Sequence, residues 1–214
     1  MTDKTPHPFD FVDLATHIPE AIIDSRYYGT NNFVGREIAG YDAPNLLMTQ
    51  KAADALKSVQ DNLSLNGLRL FIFDAYRPQC AVDDFLAWSK DPTDQKMKET
   101  FYPNIDKATL FDAGFLVEQS THSRGSTVDL TLANAAGEPL SMGTIFDFFG
   151  EAAHAQYQGI TPIEAKNRIT LAEAMIKAGF LPYLPEWWHF TLKDEPYPNR
   201  YFNETIQEML GKVL

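Results

Sequence analysis

Three short segments with the composition of β-strands most restrict the fold of this chain, because helical segments separate them irregularly. Residues 68–73 form a buried-strand pattern of apolar residues, residues 127–132 alternate apolar with polar side chains, and residues 187–192 are the third segment. Strands and helices that do not alternate as βαβ units favour an α+β domain. We therefore predict a central, largely antiparallel sheet flanked by helices.

One helix is predicted before the first of these strands, and another is predicted between the second and the third. Apolar residues recur every three or four positions from Ala52 to Leu63, which predicts a helix near residues 46–64. The sequence TPIE supplies a capping threonine, Thr161, a proline in the first turn and a glutamate three residues after the cap. The second helix is expected to continue to Gly179. Its predicted apolar positions are Ile169, Ala172, Met175 and Ile176.

Length and charge narrow the class of protein. A chain of 214 residues is long for one average domain and short for two, so we expect a single domain over residues 1–214. Its formal net charge of −11, without a basic block, argues against binding to nucleic acid or to anionic membranes. No segment approaches the roughly 20 apolar residues of a membrane span, and residues 1–15 lack a signal-peptide pattern. We therefore expect a cytoplasmic protein.

The residues available for a metal site are histidines and carboxylates. Cys80 is the single cysteine, which excludes both an internal disulfide and a cysteine-rich zinc site. His122 precedes Asp129 by seven residues, and a turn around Gly125 can bring both side chains to one point. The alternative is that Asp129 belongs to an exposed polar face of the sheet. Of the other histidines, we expect His7 to be exposed.

The run PEWWHF, residues 185–190, places an acid and an imidazole on either side of two tryptophans. A catalytic zinc takes three protein ligands and leaves a fourth position for water, so His189 is a candidate third ligand. In a regular strand Glu186 and His189 would face opposite ways. Pro185 puts Glu186 at the threshold of the strand, where this alternation need not hold. The alternative is a solvated Glu186 beside a hydrogen-bonded core histidine.

The pattern SxHxxGxxxD followed by ExxH resembles the D-alanyl-D-alanine dipeptidases, zinc peptidases of the LAS group. The similarity also covers, in consistent order, the segments DAYRP, YPNID, MGTIFDFF and DEPYPNRYF. It implies that His122, Asp129 and His189 bind one Zn²⁺ per chain. It also implies that Glu186 is the catalytic acid and base and that Arg77 stabilises the transition state.

The same resemblance suggests substrate-binding residues. Asp147 matches the position that receives the amino end of the dipeptide, and Ser120 and Tyr27 match other substrate-contacting positions. The alternative for Asp147 is an ordinary helix cap, and the alternative for Arg77 is a surface ion pair. Thr127 departs from the pattern, because the wider group has alanine there and threonine adds a hydroxyl on the predicted metal-facing side.

The activity implied is zinc-dependent hydrolysis of the free dipeptide D-Ala-D-Ala to two D-alanines. The irregular segment 1–45 is long enough to fold over such a site and close it. Alternatives are a D,D-carboxypeptidase or peptidoglycan endopeptidase of the same group, or a zinc-binding module without catalysis. The chain is a possible homodimer, since its last apolar residues can form a helix that covers the core or makes a dimer contact. These residues are Ile206, Met209, Leu210 and Val213.

Overall fold

A five-stranded sheet organises the structure, a computed structural model that describes residues 10–112 and 114–213. The strands are β1 (Phe11–Asp13), β2 (Ile22–Ile23), β3 (Leu47–Thr49), β4 (Arg69–Asp74), β5 (Thr127–Ala133), β6 (Phe180–Pro182) and β7 (His189–Leu192). The order in the main sheet is β2-β4-β5-β7-β6, while β1 and β3 form a separate antiparallel pair. Only β2 and β4 are parallel among the neighbours in the main sheet, so the predicted, largely antiparallel sheet is confirmed.

Helices surround the sheet. They are α1 (Leu14–His17), α2 (Gln50–Ser64), α3 (Gln79–Ser89), α4 (Lys98–Phe101), α5 (Pro162–Lys177) and α6 (Ile206–Val213). Three 3₁₀ turns cover Lys107–Thr109, Thr121–Arg124 and Glu151–Ala153. The helix predicted near residues 46–64 starts later than expected, because residues 47–49 pair with β1 instead. No helix among residues 10–112 and 114–213 is long and apolar enough to cross a membrane.

Strand β5 is buried along its whole length. Its apolar side chains, Val128, Leu130 and Leu132, have no exposed surface. Its other face is equally covered, since Thr127, Asp129 and Thr131 are at most 2% exposed. A central strand is buried on both faces when other elements pack against both sides of the sheet. The alternative of an exposed polar face around Asp129 is therefore wrong.

Helix α5 has the predicted start but a different buried face. The Thr161 hydroxyl accepts from the Glu164 amide while the Glu164 carboxylate accepts from the Thr161 amide, which is the reciprocal capping arrangement. The buried residues of the helix are Arg168, Leu171 and Met175. Arg168 faces the interior because its guanidinium donates to the carbonyls of residues 142, 152 and 154. Ile169 and Ile176, two of the apolar positions that predicted the helix, remain 56% and 53% exposed.

The C-terminal helix covers the core. Ile206 and Met209 of α6 have no exposed surface, and the helix lies against β1. The sequence suggested that this helix either covers the core or makes a dimer contact. The described side chains of α6 cover the core. His7 lies outside the described residues.

The irregular segment between β2 and β3 is held by one asparagine. The Asn32 amide group donates to the carbonyls of Arg26, Gly29 and Arg36, and its oxygen accepts from two following amides. These bonds supply the backbone partners that a helix or strand would otherwise provide. They fix a loop that places the buried ring of Tyr27 against Phe33 and Phe85.

Gly125 links the 3₁₀ turn Thr121–Arg124 to β5 and has a conformation that other residues adopt with strain. Its φ of +79° is left-handed, and a Cβ at this position would overlap the ring of Phe11. The glycine of the HxxGxxxD pattern is therefore a steric requirement for joining His122 to the strand.

We expect Gly125→Ala to lower the free energy of unfolding by more than about 2 kcal/mol, because overlap with Phe11 adds to the ~1–2 kcal/mol of left-handed strain. Gly67→Ala is the matched control, since Gly67 has φ +69° but open space around it. Urea denaturation of both variants measures the difference. Equal losses in the two variants would contradict the steric explanation.

Candidate active site

Three potential metal ligands converge where β5 meets β7. Asp129 and His189 are directly opposed in the antiparallel register of these strands, and the 3₁₀ turn Thr121–Arg124 brings His122 beside them. The Nε2 atom of His122 lies 3.2 Å from Asp129 Oδ2 and 3.3 Å from His189 Nδ1. His189 Nδ1 lies 3.1 Å from Asp129 Oδ1. The two histidines approach different oxygens of Asp129, and one potential ligand atom from each of the three residues lies within 4.8 Å of the others, so the three side chains form a ligand triangle at the sheet.

The pairwise separations of 3.1–3.3 Å between these ligand atoms are close to those around a tetrahedral metal ion. Zinc bonds to nitrogen and oxygen of about 2.0–2.1 Å put neighbouring ligands about 3.3 Å apart. The Oδ1 atom of Asp129 is also buried and accepts no hydrogen bond from the described residues. A buried carboxylate oxygen without a partner is unfavourable unless a cation or donor satisfies it. The residues present therefore fit a bound metal ion.

Neighbouring groups orient both imidazoles. His122 Nδ1 lies 2.7 Å from the carbonyl oxygen of Ala75, which can only accept, so this nitrogen carries the proton. The lone pair of His122 is consequently on Nε2, the atom that faces Asp129. The other ring nitrogen of His189 lies 3.3 Å from the Thr121 hydroxyl. Such outer contacts fix the tautomer and direction of metal-binding histidines.

The charges around Asp129 keep it ionised. Burial by itself would raise the pKa of Asp129, but the facing imidazoles of His122 and His189 hold it well below its usual range. Burial lowers the pKa of His122, so this ring is neutral near pH 7. An ionised carboxylate and a neutral imidazole are the forms that bind a metal ion.

Glu186 reaches the same point through a turn. The His189 amide donates to the Glu186 carbonyl at 3.3 Å, and strand β7 begins only at His189. Residues 187 and 188 therefore form a turn rather than the predicted start of the strand. This turn brings Glu186 Oε2 to 3.5 Å from His189 Nδ1, whereas strand alternation would separate the two side chains. Burial raises the pKa of Glu186 to about 7.

The two tryptophans of this turn are core residues. Trp187 and Trp188 are 4% and 1% exposed, and their rings meet edge to face at 5.2 Å. The Trp187 indole nitrogen donates to the Thr144 hydroxyl at 2.7 Å. Their burial fixes the turn, so the apolar neighbours of Glu186 and His189 position both side chains.

Arg77 is held by a carboxylate that sequence reasoning did not assign to the site. Its guanidinium lies 2.9 Å from Asp74 Oδ2 and 3.4 Å from Asp129 Oδ2. Asp74 has no exposed surface, and the Tyr41 hydroxyl donates to its other oxygen at 2.6 Å. The guanidinium also lies 5.1 Å from the centre of the Tyr27 ring. Arg77 is therefore part of a buried ion pair, and the surface alternative is wrong.

All eight predicted site residues line one cavity of about 200 Å³. These residues are Tyr27, Arg77, Ser120, His122, Asp129, Asp147, Glu186 and His189. The sequence did not indicate the apolar walls, which include Phe33, Phe85, Phe115, Leu116, Val117 and Phe149. Pockets for drug-sized ligands usually occupy about 300–1,000 Å³, so this cavity suits a smaller molecule.

Asp147 lies at the inner wall of the cavity in a strained conformation. Its φ of +61° is left-handed, and it occupies a turn rather than a helix cap. The buried carboxylate accepts from the Tyr27 hydroxyl at 2.9 Å. Burial raises the pKa of Asp147 well above its usual range. Strain of this kind concentrates at functional sites, where the surrounding structure imposes it.

Ser120 has a local role that the structure makes visible. Its buried hydroxyl oxygen accepts from the His122 amide at 3.3 Å and caps the 3₁₀ turn Thr121–Arg124. The same side chain lines the cavity. Ser120 therefore helps to position His122 while it faces the space beside the metal ligands.

The hydroxyl added by Thr127 is accommodated within the sheet. Thr127 is opposite Thr191 in the pairing of β5 with β7, and their hydroxyl oxygens are 2.9 Å apart. Each hydroxyl thereby supplies the other with a hydrogen-bond partner. The Thr127 hydroxyl therefore has its partner in Thr191, and the group His122, Asp129 and His189 forms with threonine at this position.

A histidine, aspartate, histidine triangle with a glutamate beside it, inside a cavity, is the arrangement of a mononuclear metallohydrolase. Residues 8–207 match the M15 peptidase family, described as D-Ala-D-Ala dipeptidase. This match spans most of the chain, and the protein belongs to that family.

Curated relatives carry the same name. A D-alanyl-D-alanine dipeptidase of Enterococcus faecalis is 45% identical over 184 residues, covering 86% of this chain and 91% of the relative. One from Enterococcus faecium is 39% identical, with 93% and 98% covered, and one from Streptomyces coelicolor is 41% identical, with 86% and 91% covered. The similarity therefore extends over nearly the full length of these relatives.

We expect Thr127→Ala to lower the free energy of unfolding by about 1 kcal/mol, because Thr191 loses its hydroxyl partner. Thr191→Val should have a similar effect. The double variant should lose less than the sum, since it leaves no unpaired hydroxyl. Urea denaturation of the four proteins measures this coupling. Strictly additive losses would show that the hydroxyl pair contributes nothing.

Proposed function

We propose that this protein hydrolyses the free dipeptide D-Ala-D-Ala to two D-alanines with one bound zinc ion. The observation that carries the proposal is the triangle of His122, Asp129 and His189, with Glu186 and Arg77 lining the same small cavity. The names of the family and of its curated relatives support the substrate. The reaction adds one water across the peptide bond, giving a carboxylate and an ammonium.

The metal would be held by His122, Asp129 and His189. Zinc, when bound, supplies a Lewis acid and lowers the pKa of water so that hydroxide is available near neutral pH. Two histidines and one carboxylate, without cysteine, are a common ligand set for catalytic zinc. Among the described residues, the side chains of this triangle form the group that could hold a metal ion.

Glu186 moves the proton that hydrolysis requires. Its carboxylate lies 3.5 Å from His189 and faces the cavity, so it can accept a proton from the attacking water. The same group then delivers that proton to the leaving nitrogen. One carboxylate therefore serves as base in the first step and as acid in the second.

Arg77 stabilises the negative charge that develops on the carbonyl oxygen. A donor fixed before the reaction stabilises such charge without rearrangement during the step. The Asp74 carboxylate and the Tyr27 ring hold the guanidinium in place on the side of the cavity nearest Asp129. Asp74 thus acts as a positioning residue for Arg77.

Asp147 and Tyr27 bind the free amino end of the dipeptide. The carboxylate of Asp147 is buried, and a substrate ammonium would supply its positive partner. Tyr27 donates to this carboxylate and orients it. Ser120 faces the cavity and offers a hydroxyl to the substrate.

The wall that the N-terminal segment adds to this small cavity favours a dipeptidase over enzymes that trim polymers. Tyr27 and Phe33, from the segment preceding residue 46, form part of the cavity wall. A carboxypeptidase or endopeptidase acting on peptidoglycan needs an open groove for the rest of the chain. A zinc module without catalysis would need neither Glu186 nor Arg77. The cytoplasmic location stays a prediction.

We expect Glu186→Gln to keep about one zinc per chain and to lower kcat by at least roughly 10²–10⁴-fold, because glutamine cannot transfer a proton. His189→Ala should instead lose most of the metal. Elemental analysis and steady-state kinetics of the purified variants measure both effects. Full zinc retention in His189→Ala would refute the ligand assignment, and an unchanged kcat in Glu186→Gln would refute the role of Glu186.

We expect N-acetyl-D-Ala-D-Ala to be hydrolysed at least about 100-fold less efficiently than D-Ala-D-Ala, measured as kcat/KM. Acetylation removes the ammonium and leaves Asp147 buried without its partner. In Asp147→Asn the ratio between the two substrates should shrink. Similar kcat/KM values for both substrates in the wild-type protein would favour a carboxypeptidase instead.

A further inference from the structure

A buried tyrosine of the N-terminal segment reaches the ion pair that holds Arg77. Tyr41 is 3% exposed, and its hydroxyl donates to Asp74 Oδ1 at 2.6 Å. The other oxygen of Asp74 accepts from Arg77 Nε at 2.9 Å. Tyr41 is not one of the described residues that line the catalytic cavity. Any effect of its hydroxyl on a substrate in that cavity therefore passes through Asp74 and Arg77.

The Tyr41 hydroxyl supplies a donor that Asp74 requires. Asp74 has no exposed surface and lies directly opposite Asp129 in the pairing of β4 with β5. Buried carboxylates at such positions repel each other, and each oxygen needs a donor to replace water. Arg77 serves Oδ2 of Asp74, while Tyr41 serves Oδ1. Loss of the hydroxyl would leave Oδ1 buried without its donor and would free the carboxylate to rotate.

The direction of the Arg77 N–H groups depends on these carboxylates. Nε faces Asp74, and Nη2 lies 3.4 Å from Asp129 Oδ2. Nη1 donates to no residue in the ranges 10–112 and 114–213, so it is the group left for a substrate oxygen. The rings of Tyr27 and Phe85, 5.1 and 5.4 Å from the guanidinium carbon, attract the charge but set no direction for its donors. The fixed fork of donors therefore points where Asp74 and Asp129 hold it.

We propose that Tyr41 is a positioning residue for hydrolysis: it orients Asp74, which aims Nη1 of Arg77 at the oxyanion. This inference rests on the proposed function, in which Arg77 stabilises that charge. The Tyr41 ring also meets the Tyr27 ring edge to face at 5.3 Å. Backbone hydrogen bonds join both residues to Ile38, whose amide donates to Tyr27 and whose carbonyl accepts from Tyr41. The segment that walls the cavity thus also prearranges its catalytic cation.

Steady-state kinetics of Tyr41→Phe, which removes only the hydroxyl, tests the proposal. We expect kcat for D-Ala-D-Ala to fall at least about tenfold with little change in KM, because an oxyanion contact acts mainly in the transition state. Zinc content and circular dichroism verify the metal and the fold. A Tyr41→Phe protein with the wild-type kcat would overturn the proposal.

The matched control is Tyr76→Phe. Tyr76 is also buried, and its hydroxyl donates to the carbonyl of Glu204 at 2.8 Å, away from Asp74. It is absent from the described lining of the catalytic cavity. Its replacement should therefore keep the wild-type kcat although it too removes a hydrogen bond. Equal losses of kcat in Tyr41→Phe and Tyr76→Phe would show a general structural effect and overturn the proposal.

A cycle of Tyr41→Phe with Arg77→Ala tests the path through Arg77. The readout is the affinity of the zinc-loaded protein for a phosphinate analogue of the dipeptide, whose P–O⁻ group stands in for the oxyanion and which requires no turnover. Tyr41→Phe should weaken binding at least about tenfold when Arg77 is present and have no further effect in Arg77→Ala. Equal weakening in both backgrounds would overturn the proposal.

The same four proteins separate this inference from the proposed function. A wild-type protein that neither hydrolyses D-Ala-D-Ala nor binds the phosphinate would refute the dipeptidase function. Urea denaturation then still tests the contact itself, because Tyr41 and Arg77 share Asp74 and their losses of unfolding free energy should not add. Independent losses would overturn the proposed link between Tyr41 and Arg77.

Discussion

The buried carboxylate of Asp129 is the constraint on which the site depends. An ionised carboxylate that is 2% exposed is stable only if positive charge or hydrogen-bond donors surround it. His122, His189 and Arg77 all approach it, and each comes from a different part of the chain. The cross-strand pairing of β5 with β7 sets the position of Asp129 opposite His189. A metal ion at the triangle would supply the remaining positive charge.

A second layer of contacts keeps these groups in place. The carbonyl of Ala75 fixes the tautomer of His122, and Asp74 holds Arg77. Both partners lie at the end of β4, the strand next to β5, so one strand end orients a proposed metal ligand and a proposed catalytic cation. Gly125 allows the turn that connects His122 to β5. The precision of the site therefore comes from the sheet and from its immediate connections, which are rigid elements.

The cavity combines the polar side chains around Asp129 with walls from segments that are distant in the sequence. Tyr27 and Phe33 come from the N-terminal part, while Phe115, Leu116 and Val117 come from the connection before the 3₁₀ turn that holds His122. Apolar walls exclude water and strengthen the electrostatic interactions inside. They also bury Asp147, whose carboxylate accepts from the Tyr27 hydroxyl and which we propose as the partner of a substrate ammonium. Under the proposed function, the same geometry would restrict the substrate to a short peptide with a free amino end.

The sequence by itself determined the features that depend on neighbouring residues: the main strands, the capped start of α5, the glycine before β5 and the metal-binding residue types. Only the tertiary structure decided that the polar face of β5 is buried and that Asp74 clamps Arg77. It also showed that a turn brings Glu186 to His189, and that Arg168 faces the core while Ile169 does not. These outcomes depend on contacts between residues far apart in the chain, whose free energies override local periodicity. A pattern of side chains specifies which faces of an element can be buried. Packing against the other elements then selects the face that becomes buried.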